Sequence, residues 1–169
     1  MILLITGGTR SGKSRYAQEL ALSLSDHPVH IATARVWDAA FAERIKRHQQ
    51  ERDERWTTIE ETGSLASLAI EHRTCVLDCI TLWLTNFFMD TQKDVERSLH
   101  LFQQEIDLLK QQSGTFILIT NEIGMGVHAA TPTGRQFTDL QGWANQYVAA
   151  QADKVILMVS GIPVTIKGN

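Results

Sequence analysis

Gly7-Gly8-Thr9-Arg10-Ser11-Gly12-Lys13-Ser14 reads G-x-x-x-x-G-K-S, the spacing of a loop that wraps a phosphate. Glycines let backbone N–H groups crowd round the oxygens, and a following helix adds the positive end of its dipole. In such a loop Lys13 reaches the outer phosphates and the Ser14 hydroxyl ligates Mg²⁺. The chemistry needs a strand before the loop and a helix after it. Met1 to Thr6 is a short apolar run suited to a buried strand. From Arg15 to Ser25, the residues Ala17, Leu20, Ala21 and Leu24 fall on one helical face. The segment is therefore expected to bind a nucleoside triphosphate.

Enzymes built on this loop need a second handle for Mg²⁺, usually an acid at the end of a neighbouring strand. Two positions qualify. Asp78 ends the apolar run Thr74-Cys75-Val76-Leu77, and Glu122 follows Phe116 to Thr120 with Asn121 between. Both would lie at the carboxyl ends of parallel strands, where open α/β sheets bind ligands. Asp78 is the better metal candidate, because its run is more nearly all apolar. Glu122 is the runner-up and is equally suited to positioning substrate or a base. For each, an ordinary loop or capping acid is the simpler alternative.

A third group is Arg44, His48 and Arg52, at i, i+4 and i+8 of a charged stretch. Two permanent cations flanking an imidazole suit a phosphate and keep the histidine neutral. A neutral imidazole is a nucleophile able to form covalent intermediates. By spacing alone, a solvated helix face with an incidental histidine is the simpler reading. The remaining histidines (His27, His30, His72, His100, His128) show no ligand spacing.

The elements that must position these groups follow from apolar periodicity. Strands are expected at Val29 to Thr33, Thr74 to Asp78, Phe116 to Thr120 and Val155 to Val159, with a proline-led edge strand at Pro163 to Lys167. Helices are expected at Phe41 to Trp56 (with a turn near Asp53), Ser64 to Ile70 with Ser64 as N-cap, Ile80 to Phe88, Val95 to Leu109 and Gly134 to Gln151. The stretch from Gly124 to Gly134 reads as a loop. Near-continuous apolar strands separated by helices imply an α/β fold with a mostly parallel sheet covered on both faces. With 169 residues the chain is most simply one domain, 1–169.

Composition narrows the function classes. Hydrophobic content of 43% and charge of 21% fit a soluble globular protein. Net charge is −3 and the basic residues do not cluster in long blocks, so no nucleic-acid partner is expected. No apolar run reaches the roughly 18 residues of a spanning helix. The start leaves no room for a signal peptide, and a cytoplasmic location is expected. Cys75 and Cys79, placed at i and i+4 and facing the same way, read as buried thiols and are too few for structural zinc. Asp139-Leu140-Gln141-Gly142 matches the D-x-x-G of regulatory GTPases but lies inside a helical pattern, and no N-K-x-D follows. A switch-protein reading is discounted.

The chain also resembles the bifunctional adenosylcobinamide kinase / adenosylcobinamide-phosphate guanylyltransferase family of cobalamin biosynthesis. The resemblance rests on the phosphate loop, Ile31-Ala32-Thr33-Ala34, and Arg44-Ile45 with His48, Arg52, Trp56 and Glu60. It continues through Asp78-Cys79-Ile80-Thr81, Thr120-Asn121-Glu122-Ile123-Gly124-Met125-Gly126 and Val159-Ser160-Gly161-Ile162-Pro163. It implies phosphorylation of adenosylcobinamide by ATP or GTP, then transfer of GMP from GTP to the corrinoid phosphate through a guanylylated histidine. His48 resembles that nucleophile, and Arg47 stands where relatives often carry a second histidine. Gly7 to Ser14, Ala32, Thr33, Ala34, Gln49, Gln50, Glu51, Arg52, Glu60 and Asp78 match nucleotide-contacting positions. A RecA-like fold and a homotrimer are implied as well, and an exposed Trp37 or Trp83 would suit the trimer interface. Two other readings stay in view: a small-molecule kinase without guanylyl transfer, and a non-catalytic nucleotide sensor. The first is disfavoured because the second half offers chiefly Arg97 and Arg135 for a basic lid.

Overall fold

The computed structural model describes residues 1–35 and 53–168. Among these, a seven-stranded sheet runs in the order β3-β2-β4-β5-β1-β6-β7. Its strands are β1 (Ile2–Thr6), β2 (Val29–Ala32), β3 (Thr57–Glu60), β4 (Arg73–Asp78), β5 (Gly114–Ile119), β6 (Lys154–Val159) and β7 (Ile162–Lys167). All neighbours pair in parallel except β6 and β7, which form an antiparallel hairpin at one edge. Four described α-helices accompany them: α1 (Lys13–Leu24), α2 (Ile80–Asp90), α3 (Val95–Gln111) and α4 (Pro132–Gln151).

The pleat divides the core between the two faces. Ile2 and Leu4 of β1 point to one side with Leu77, Phe116 and Leu118, beneath Trp83, Phe102, Ile106, Leu140 and Val148 of α2, α3 and α4. Leu3 and Ile5 point to the other side with Val76, Ile117 and Met158, beneath Ala17 and Ala21 of α1. Small residues on that face of α1 let it lie close to the sheet, chiefly over β4 and β5. Asp94 caps α3 by accepting from Arg97 N–H, and Thr131 caps α4 by accepting from Gly134 N–H, with Pro132 in the first turn. Apart from β3, these strands and helices agree with the apolar periodicities, within one or two residues at most ends.

Several expectations fail. Helix Phe41 to Trp56 lies largely outside the described residues; at its end Glu54 and Arg55 form the turn expected near Asp53, and the chain then enters β3, a strand the periodicity did not signal. Ser64 to Ile70 is not a helix but a single 3₁₀ turn, Leu65–Ser67, and the Ser64 side chain makes no cap hydrogen bond. Glu105 of α3 replaces that cap, accepting from both Ser64 Oγ and Leu65 N–H. Trp83 is no interface residue. It is fully buried against Phe87 and Phe102, and its Nε1–H donates to Gly63 O at 2.7 Å. Trp37 lies outside the described residues. Cys75 and Cys79 are both buried free thiols, but they pack on opposite faces of the sheet, because Cys79 already lies beyond β4 at the N-cap of α2. Burial pushes their pKa values up, to about 11 for Cys75 and about 12 for Cys79.

Candidate active site

The chain leaves β1 and turns through the glycine loop straight into α1. Gly7 has a φ of 147°, and a Cβ there would lie 2.6 Å from Met158 O. Gly12 has a φ of 96°, and a Cβ would come within 3.2 Å of Gly161 Cα. Only glycine permits both the backbone and the close approach. Gly8, Thr9 and Arg10 are exposed, while Ser11, Gly12 and Ser14 are half-buried. Ser11 Oγ is buried without a hydrogen-bond partner, a polar atom held ready for a ligand oxygen.

Lys13 lies under this loop, buried, with Nζ donating to Gly7 O at 2.9 Å and Gly8 O at 2.7 Å. Burial lowers its pKa, while Cys79 and Asp78 pull it back up. The ammonium and the Asp78 carboxylate therefore act on one another across the end of the sheet. Asp78 ends β4, and β5 separates that strand from β1. Glu122 follows β5, and its N–H donates to Gly7 O at 3.1 Å, which ties this acid's backbone to the loop. The Ser14 hydroxyl and the Asp78 and Glu122 carboxylates are hard oxygen donors at the same sheet end, a set whose chemistry suits Mg²⁺ held together with phosphate oxygens.

Beyond Asp78, the other positions named by resemblance run along the same edge. Ala32 is in register with Asp78 on one side and Glu60 on the other. Thr33 is fully buried, with its hydroxyl donating to Cys79 O at 2.9 Å, and Ala34 is half-buried. His48, Arg44, Gln49, Gln50, Glu51 and Arg52 lie outside the described residues.

Sequence reasoning missed two features beside this edge. His30, set aside above, is buried on β2 with Nε2 4.0 Å from Asp78 Oδ2 and its ring edge-on to Trp56. Neither ring nitrogen has a hydrogen-bond partner. A polar residue inside a strand of apolar neighbours is the signal that marks it. The second feature is a buried polar network behind Glu122. Asn145 of α4 donates to Asn121 O at 3.1 Å and to Glu122 Oε2 at 3.5 Å. Its carbonyl accepts from Thr120 Oγ1 at 2.7 Å and Gln141 Nε2 at 2.8 Å. Asn121 donates from both N–H and Nδ2 to Thr81 Oγ1, at 3.2 and 3.1 Å. Gln141 of the D-x-x-G decoy thus belongs to this buried network inside α4.

Asn145→Ala would strip partners from four of these groups at once. An unpartnered buried polar group costs about 1–3 kcal/mol, so the urea midpoint should fall with little change in slope. Turnover should fall as well, since Glu122 loses its side-chain donor. An unchanged midpoint would contradict the arrangement.

Comparisons with known proteins give the family of the chain. The profile of the cobinamide kinase / cobinamide phosphate guanyltransferase family matches residues 3–166. The chain is 38% identical over 173 residues to the bifunctional adenosylcobalamin biosynthesis protein CobP of Pseudomonas aeruginosa, covering 98% of this chain and 97% of that one. It is 36% identical over 182 residues to the bifunctional adenosylcobalamin biosynthesis protein CobU of Escherichia coli, covering 99% and 100%. Among solved structures, an ATPase of the type III secretion system of pathogenic bacteria superposes with a TM-score of 0.58 at 10% identity, covering 97% of this chain and 56% of that one. That likeness speaks for the fold alone, which is that of the P-loop NTPases. The phosphate loop, the acids at the strand ends and a family match along nearly the whole chain lead to one conclusion: this chain belongs to the cobinamide kinase / cobinamide phosphate guanyltransferase family of bifunctional enzymes.

Proposed function

We propose that this chain phosphorylates adenosylcobinamide and then transfers GMP from GTP to the resulting phosphate through a guanylylated His48, giving adenosylcobinamide-GDP. The observation that carries the reading is the loop itself, with buried Lys13 folded beneath it and Asp78 within electrostatic reach. Both transfers load negative charge onto phosphate oxygens, and donors already in place offset that charge without reorganising. Lys13 and the first N–H groups of α1 supply such donors. Mg²⁺, held by Ser14 and Asp78 with Glu122 as a further candidate, would neutralise phosphate charge and align the triphosphate.

The role of His48 rests on its motif. Arg44 and Arg52, four positions to either side in the sequence, suit the oxygens of a phosphoramidate. Further parts of the reading are a single domain over 1–169, GTP as guanylyl donor, ATP or GTP as phosphoryl donor, a cytoplasmic location and a homotrimer. Neither a nucleic-acid partner nor a membrane span belongs to it, and no helix among the described residues is long and apolar enough to cross a membrane. Exposed Ile162, Val164 and Ile166 on edge strand β7 support an assembly of copies.

The test is intact-mass spectrometry with GTP and Mg²⁺, followed by addition of adenosylcobinamide phosphate. The protein should gain an acid-labile GMP and lose it to the corrinoid. Absence of any adduct would sink the guanylyl-transfer half of the proposal.

A further inference from the structure

The sheet order puts the phosphate loop between two different neighbourhoods. On one side lie the ends of β5, β4, β2 and β3, with Asp78, Ala32 to Ala34 and Glu60, the positions that resemblance gives to the nucleotide. On the other side lies the β6–β7 hairpin, to which that resemblance assigns no nucleotide contact. Across the end of β1, between these two neighbourhoods, the outer face of the loop, the chain after β5 and the end of β6 enclose an open cleft of about 680 Å³. Thr9, Arg10, Glu122, Met125, Met158 and Val159 are among its lining residues.

Both walls of this cleft are fastened to the phosphate loop. Gly161 N–H, in the β6–β7 turn, donates to Ser11 O at 2.9 Å. Glu122 N–H donates to Gly7 O, as described above. The cleft therefore keeps a fixed position relative to the phosphates. Its lining is divided by chemistry. Met125 is 79% exposed and Val159 49% exposed, so two large apolar side chains stand open to water at the rim. Glu122 and Arg10 sit toward the loop, one an acceptor for a hydroxyl, the other a cation for a phosphate.

Resting on the two-transfer reading above, we propose that this cleft is the acceptor site and that its occupant is the corrinoid. The macrocycle lies against Met125 and Val159, and the side chain that carries the hydroxyl, later the phosphate, points past Arg10 and Glu122 toward the loop. One chemical requirement and two observations carry this assignment. An acceptor must approach the terminal phosphate from a side the nucleotide does not fill. The cleft opens on the outer face of the loop, between the chain after β5 and the end of β6, and none of the strand-end positions Ala32 to Ala34, Glu60 and Asp78 is among its lining residues. Its exposed apolar rim with a polar inner end matches a large, partly apolar ring bearing one reactive polar arm.

The experiment compares Met125→Glu and Val159→Glu with the parent chain, two exposed positions on separate elements. Read-outs are the KM for adenosylcobinamide in the kinase step, the affinity for a fluorescent GTP, the melting temperature, and the mass in solution. Expected is a rise of about tenfold or more in the acceptor KM, with GTP affinity, melting temperature and mass unchanged. An acceptor KM unmoved in both variants overturns the assignment. So does a parallel loss of GTP affinity, which would give the cleft to the nucleotide. A change of mass with the KM unmoved would make the rim a contact between copies and equally refute it. A parent chain inert toward adenosylcobinamide refutes the two-transfer reading itself, whereas an active parent with unaffected variants refutes the cleft alone.

Discussion

Lys13→Ala should depress kcat of both transfers by about 10²–10³-fold, the usual effect of removing one charge-stabilising donor from a transition state. The side chain is buried under the loop and reaches two loop carbonyls, so its ammonium is placed before any substrate arrives. Its desolvated setting makes each interaction with a phosphate oxygen stronger than it would be in water. Alanine removes the charge and leaves Gly7 O and Gly8 O without that donor, so some loss of stability is also expected. Thermal melting separates the two effects, because a variant still folded at the assay temperature owes its lost turnover to chemistry. Lys13→Ala turning over within threefold of the parent chain would contradict the role given to this residue.

His48→Ala should act on one transfer only. The GMP adduct should vanish, and guanylyl transfer should fall by at least about 10³-fold, since no second nucleophile replaces the first. Phosphorylation of adenosylcobinamide should persist within about threefold, because that step needs the loop and its cations but not the imidazole. Intact-mass spectrometry reads the adduct, and separate assays read each product. An adduct that survives the substitution would move the nucleophile elsewhere. Equal loss of both activities would instead make His48 a general element of the nucleotide site.

The phosphate loop was legible because its geometry forbids substitutes: Gly7 and Gly12 sit where a Cβ would strike neighbouring backbone, so their spacing survives in the letters. The central strands were legible as well, since burial on both faces leaves an unbroken apolar run. Strand β3 was not. Thr57–Glu60 is an edge strand of four residues, and Ile59 is its one apolar side chain, so neither an alternation nor a run could form. Trp83 was misjudged because an aromatic in an amphipathic stretch does not declare its direction; Gly63 O, which satisfies its indole N–H, is twenty positions away. Distance in sequence also hid the Glu122 support. Asn145 and Gln141 sit in a helix whose apolar face drew the attention, and their partners lie on a strand end more than twenty residues earlier. His30 shows a third kind of failure: metal-ligand spacing was sought and was absent, while nearness to Asp78 depends on strand order.

The hydrogen bonds at the sheet's carboxyl end form a continuous series. Asn86 donates to Thr33 O, Thr33 to Cys79 O, Asn121 to Thr81, and Asn145 to Asn121 O. These bonds tie the tips of β2, β4 and β5 to one another. A bound triphosphate would rest on a cross-tied seat, so a substitution that cuts one tie would disturb the strand ends beside Thr33, Asp78 and Glu122 together.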